Sequence, residues 1–74
     1  MNIKEAVELL TKKYPGRVPK GYWIKGDEII IQTKPLPVFR KIPTPYMFAV
    51  TKDGQVYGGT PMYFNVDPKL MKKI

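Results

Sequence analysis

The 74-residue chain contains no histidine, no cysteine and no serine. Without cysteine there is neither a disulfide nor a thiolate ligand, and without histidine the commonest neutral metal ligand and the usual proton shuttle near neutral pH are missing. A structural zinc site is not expected, and no Ser–His or Cys–His nucleophile can be assembled. Long apolar runs are missing as well. No stretch approaches the roughly 18 apolar residues of a membrane span, and Met1-Asn2-Ile3-Lys4-Glu5 is polar where a secretory signal would have its apolar region. The expectation from these absences is a cytoplasmic protein with no metal, no cofactor and no membrane partner.

The carboxylates offer little more to catalysis. Glu5 and Glu8 are three residues apart on a predicted helix surface, Asp27 and Asp53 fall in predicted turns, and Asp67 precedes a proline as a helix cap would. Paired carboxylates do acid–base work when their environments push their pKa values apart, and these positions have structural roles instead. Lys52-Asp53-Gly54 and Gly58-Gly59-Thr60 match neither phosphate-loop nor dinucleotide patterns and read as hairpin punctuation. An enzyme is not expected.

What is present is an apolar fraction of 43% with an excess of positive charge, +7 at neutral pH. The length allows one domain, residues 1–74, since a chain this short buries only about 60% of the surface its unfolded form exposes. The positive balance attracts anionic partners, but the cations are spread along the chain with no dominant run, which argues less strongly for nucleic acid than a clustered charge would.

Along the chain, Ile3, Ala6, Val7, Leu10 and Tyr14 recur at helical spacing, so residues 2–14 read as an amphipathic helix stopped by Pro15-Gly16. Tyr22 to Lys25 and Glu28 to Lys34 flank Gly26-Asp27 as a hairpin, with Ile29, Ile31 and Thr33 on one face and Ile30 and Gln32 on the other. Three successive isoleucines imply a strand covered on both faces, or one that leaves Ile30 to a partner. Four of the eight prolines fall in residues 35–45, a loop that also carries Leu36, Val38, Phe39 and Ile42. Tyr46 to Lys52 and Gln55 to Tyr57 form a second hairpin around Asp53-Gly54; Gly58-Gly59 marks a bend, and Thr60 to Val66 resumes extended structure. Asp67-Pro68 then opens a short helix over Lys69 to Ile74 that turns Leu70, Met71 and Ile74 inward. The expected fold is α+β: a small antiparallel sheet of two hairpins, three to five strands, with the N-terminal helix packed on it and a short C-terminal helix.

Pro45-Tyr46-Met47-Phe48-Ala49-Val50, Asp53-Gly54, Tyr57-Gly58-Gly59-Thr60-Pro61 and Asp67-Pro68-Lys69 together resemble the C-terminal part of short uncharacterised proteins encoded by bacteriophages and prophages. The resemblance covers at most the last 30 residues. It implies a setting inside a host cell and a regulatory or inhibitory binding role.

Two binding readings follow. In the first, the protein contacts another protein, or a second copy of itself as a homodimer, through an uncovered sheet face or edge and the Pro-rich loop, using Ile30, Phe39, Ile42 and Met47. In the second it binds nucleic acid, because Lys20-Gly21-Tyr22-Trp23-Ile24-Lys25 and Phe39-Arg40-Lys41 interleave cations with aromatics. Lys20, Tyr22, Trp23, Lys25, Arg40 and Lys41 would carry that reading. Against it, the single Trp23 is expected as a core anchor on Ile3, Val7 and Leu10, given the area it can bury.

Overall fold

The computed structural model describes residues 2–34 and 47–74. The expected α+β architecture is present: one N-terminal helix, a five-stranded antiparallel sheet and short helical turns in the C-terminal segment.

Helix α1 (Ile3–Lys13) starts at Asn2, whose side-chain oxygen accepts the Glu5 N–H at 2.8 Å and satisfies one of the free donors of the first turn. Glu5 lies in the first turn and Lys12 and Lys13 in the last, matching the helix dipole. Its apolar stripe buries Ala6 and Leu10 completely, with Ile3, Val7, Leu9 and Tyr14 packed around them.

Strands β1 (Pro19–Lys25) and β2 (Glu28–Thr33) pair around Gly26-Asp27, with Trp23 opposite Ile30 and Tyr22 opposite Ile31. Strands β3 (Met47–Val50) and β4 (Val56–Gly59) form the second hairpin, and β3 pairs with β2. A final two-residue strand, β5 (Lys72–Lys73), adds to the outer edge of β1, so the order across the sheet is β4-β3-β2-β1-β5.

That order requires the chain to pass from one edge of the sheet to the other after β4. Residues 60–71 make the crossing, a span of four strand spacings or roughly 19 Å. They run across the face opposite α1. Helix α2 (Pro61–Phe64) begins the crossing, capped by Thr60 Oγ1, which accepts the Tyr63 N–H at 3.1 Å, and ends at Asn65 in the left-handed region. A 3-10 turn, Pro68–Leu70, follows, capped by the Asp67 carboxylate on the Lys69 N–H at 2.9 Å. Sequence reading places extended structure at Thr60 to Val66 and helix at Lys69 to Ile74. The structure has α2 in the first and, in the second, the end of the 3-10 turn followed by β5.

The sheet thus has two apolar clusters, one on each face. On the α1 side, Ile29, Ile31, Phe48, Val50 and Val56 pack against Ala6 and Leu10. On the other side Phe64 and Val66 of the crossing segment lie over Ile30, Met47 and Ala49, with Tyr57 and Met71 at the margin. All four residues of β3 are buried, as expected of a strand covered on both faces. Ile30 and Met47 do point away from α1, but both are wholly buried under the crossing segment. The expected uncovered face is therefore filled by the chain itself, and these two residues form core instead of a partner surface.

Candidate functional site

The outer edge of β1 gathers positive charge. Across from Thr33 and Gln32, strand β1 carries one residue too many, and the register shift between Pro19 and Gly21 leaves Lys20 as the extra one. A bulge of this kind re-aims a side chain. Here Lys20 lines a groove of about 470 Å³ with Lys69, Lys72 and Lys73, while Gln32 and Met71 contribute to its walls. Among the described residues no Asp or Glu side chain lines the groove. Among the described residues, none of the four ammonium groups is held in an ion pair.

Two features fix this edge. Ile74 N–H donates to the Lys20 carbonyl at 3.3 Å, extending the β1–β5 pairing by one residue. Gly21 is buried, and a β-carbon there would lie 3.0 Å from the Lys72 carbonyl oxygen, so the absence of a side chain lets β5 approach closely. Close approach holds Lys72 and Lys73 beside Lys20.

Pro68 also lines a second groove, of about 610 Å³, between β1 and the crossing segment. Trp23 forms its β1 side, and Pro61, Met62, Asn65, Val66 and Leu70 form much of the other. Trp23 is 37% exposed and on the face opposite α1, so it is not the expected anchor against Ile3, Val7 and Leu10. The strand alternation decides this: Tyr22, opposite the buried Ile31, packs on the α1-side core, which sends Trp23 to the other face. Tyr22 and Trp23 therefore cannot act as two stacking platforms on one surface.

Lys25 lies at the hairpin-turn end of β1. Its ammonium donates to the Phe64 carbonyl at 2.6 Å, near the C-terminal end of α2, and ties the crossing segment to the sheet. Close by, the Tyr57 hydroxyl donates to the Glu28 carboxylate at 3.1 Å. The pair bridges β4 and β2 over β3, where the small Ala49 leaves room for the Tyr57 ring. Burial first, then the hydrogen bond to Glu28 and the charges of Glu28 and Tyr63, raise the Tyr57 pKa above its ordinary value. A phenol that keeps its proton beside a carboxylate acts as a strut and makes a poor base.

On the α1 side, the Arg17 guanidinium lies 5.4 Å from the Phe48 ring centroid, and Tyr14 stacks on the same ring at 4.9 Å. Its Nη1 is buried without a hydrogen-bond partner among the described residues. The cation–π contact compensates part of that cost and makes Arg17 a packing residue.

Of the residues singled out in the sequence, Lys20 and Trp23 line the two adjoining grooves, Tyr22 and Lys25 serve packing, and Ile30 and Met47 are core. Phe39, Arg40, Lys41 and Ile42 lie outside the described residues. Sequence reasoning missed Lys69, Lys72 and Lys73, and it turned Leu70 and Ile74 inward although both are more than half exposed. Among the described residues no cluster of three or more His, Cys, Asp or Glu could hold a metal ion, and no helix is long and apolar enough to cross a membrane. Comparison with protein-family models, with curated proteins and with solved structures yields no match to this chain.

Proposed function

We propose that this is a non-catalytic binding protein whose partner is nucleic acid, held by its phosphate backbone along the β1–β5 edge. The observation that carries the reading is the groove lined by Lys20, Lys69, Lys72 and Lys73 and, among the described residues, by no Asp or Glu side chain. Lys69, Lys72 and Lys73 sit close together in the sequence and look there like ordinary solvated charge; folding brings the distant Lys20 to the same groove. Like charges along one edge repel one another, and an anionic polymer relieves that repulsion while releasing its own counterions. The Asp67 carboxylate caps the 3-10 turn and lines the neighbouring groove instead.

The test is fluorescence anisotropy of labelled oligonucleotides at about 50 mM salt, the range where phosphate contacts dominate affinity. The double variant Lys72→Gln/Lys73→Gln is expected to bind markedly more weakly than the wild type, whereas Lys4→Gln/Lys12→Gln on the exposed face of α1 is expected to bind like it. Absence of binding by the wild type, or equal loss from the two double variants, would overturn the reading.

A second reading has its own support. Met62 is 90% exposed, and Tyr63 on the same helix and Leu70 are also largely exposed, a cluster of the kind that marks protein contacts. In that case the partner is another protein, or a second copy of the chain, seated on α2. The self-association form predicts a solution mass above that of one chain, and a single-chain mass at high concentration rejects it.

A further inference from the structure

We infer that the groove beside Trp23 receives an unpaired nucleobase, so that the protein selects single-stranded nucleic acid over duplex. The inference rests on the phosphate-binding reading of the neighbouring lysine groove, and it adds what that groove alone cannot supply, a means of telling single strand from double.

Three observations support it. First, Trp23 is the only tryptophan of the chain and is 37% exposed at the wall of a groove of about 610 Å³, a volume within the range of small-molecule sites. An indole presented to solvent beside Pro61, Pro68 and Leu70 is a flat apolar surface of the sort on which bases stack in single-strand binders. Second, the groove contains a polar reader. Asn65 sits at the end of α2 in the left-handed conformation, and its backbone N–H is bonded to the Met62 carbonyl at 3.2 Å. Its side-chain amide has no hydrogen-bond partner among the described residues, leaving a donor and an acceptor for a base edge. Third, this groove and the lysine groove meet at Pro68, and Lys73, paired with Gly21, lies on the same face of the sheet as Trp23, so a strand whose phosphates lie against Lys69 and Lys73 carries its bases past the mouth of the Trp23 groove.

Duplex does not fit the same arrangement. Its bases are stacked on one another and offer only their edges, so no base face is free to lie on the indole. Phosphate contacts, by contrast, are available from either form. Duplex should bind through the lysines alone, and single strand through lysines and Trp23 together. The one Asp or Glu side chain lining the groove, Asp67, accepts the Lys69 N–H through Oδ1.

Because Trp23 is the sole tryptophan, its emission reports on the groove directly. The experiment titrates the wild-type protein at about 50 mM salt with an oligothymidylate, with a duplex of matched phosphate count, and with polyglutamate of matched charge. The expected result is quenching of Trp23 by oligothymidylate only, and an affinity for it on the order of tenfold above that for duplex. Trp23→Phe, which keeps a stacking ring, should retain most of that preference. Trp23→Leu should lose it while binding duplex as the wild type does, with circular dichroism confirming that both variants fold. Equal affinity of the wild type for single strand and duplex, or equal weakening of both by Trp23→Leu, overturns the inference while leaving the lysine reading intact. Quenching by polyglutamate as strong as by oligothymidylate assigns the groove to an acidic protein segment instead, and binding of neither nucleic acid removes both readings.

Discussion

A β-carbon at Gly59 would lie 3.0 Å from two atoms of the Phe64 ring and from Cδ1 of Tyr63. Phe64 cannot give way freely, because its ring is buried and fills the space over Ile30, Met47 and Ala49. Gly59→Ala should therefore destabilise the protein by about 1–3 kcal/mol, the usual cost of overpacking. In a Phe64→Ala background the same substitution should cost less, since only the contact with Tyr63 is left and that exposed ring can move aside. Urea unfolding of the four proteins measures this, and additive effects of the two changes would reject the contact. Tyr57 gives a second residue-scale outcome, one that depends on pH. Its folded-state pKa is raised above the ordinary 10.0 by burial and by the Glu28 carboxylate, so the folded state holds the phenolic proton more tightly than the unfolded state does. Its contribution is fully present below the unfolded pKa and is lost as pH rises through the folded one. Below that range Tyr57→Phe should be less stable than the wild type by about 1 kcal/mol for the lost hydrogen bond, and the gap should close as the solution becomes alkaline. Unfolding midpoints across the alkaline range check it; a gap that widens with pH would contradict the assignment.

At the scale of elements, the crossing segment is what converts a helix-on-sheet arrangement into a sheet covered on both faces. It is held by Phe64 and Val66 inserted over β2 and β3, by Lys25 on the Phe64 carbonyl, and at its end by β5. The last of these is the weakest, with two residues paired and both exposed. Gly21→Ala would place a methyl group 3.0 Å from a backbone carbonyl that cannot rotate away, so β5 should detach before the rest of the sheet is affected. Hydrogen exchange should then show the Ile74 amide, which bonds Lys20, losing protection while Ile30 and Phe48 keep theirs. Uniform loss across the sheet would mean that β5 and the core open as one unit. How far these elements can be read in the sequence depends on how local their causes are. α1 and both hairpins follow from apolar spacing and turn residues within a few positions of one another. The crossing does not, because the covering of Ile30 and Met47 by Phe64 and Val66 depends on contacts between residues far apart in the chain. Part of it was nevertheless legible: Thr60-Pro61 carries the same cap-then-proline signature as Asp67-Pro68, and it starts α2. Trp23 was misjudged for a different reason. Its size argues for burial, but strand alternation had already committed its neighbour Tyr22 to the α1-side core, and the face that remained for Trp23 offered a groove.

On the scale of the whole molecule, charge is distributed unevenly between the two ends of the sheet. At the end that carries both hairpin turns Asp27, Glu28 and Asp53 are largely offset by Lys25 and Lys52, whereas Lys20 and Lys34 lie at the opposite end, beside the β5 lysines. A net charge of +7 would attract an anion to any part of a uniform surface; this polarity directs it to the β1–β5 edge. The lysine groove also sets how steeply affinity falls with salt. If Lys20, Lys69, Lys72 and Lys73 each neutralise one phosphate of a single strand, log K should fall against log salt with a slope of about −3, and of about −1.4 once Lys72 and Lys73 are replaced by Gln. Stacking of a base on Trp23 involves no counterion, so Trp23→Leu should lower affinity for oligothymidylate at every salt concentration and leave the slope where it was. Anisotropy titrations at several salt concentrations on the three proteins separate these effects. A slope that changes with Trp23→Leu, or one that survives the loss of Lys72 and Lys73, would show that the phosphates lie elsewhere on the molecule.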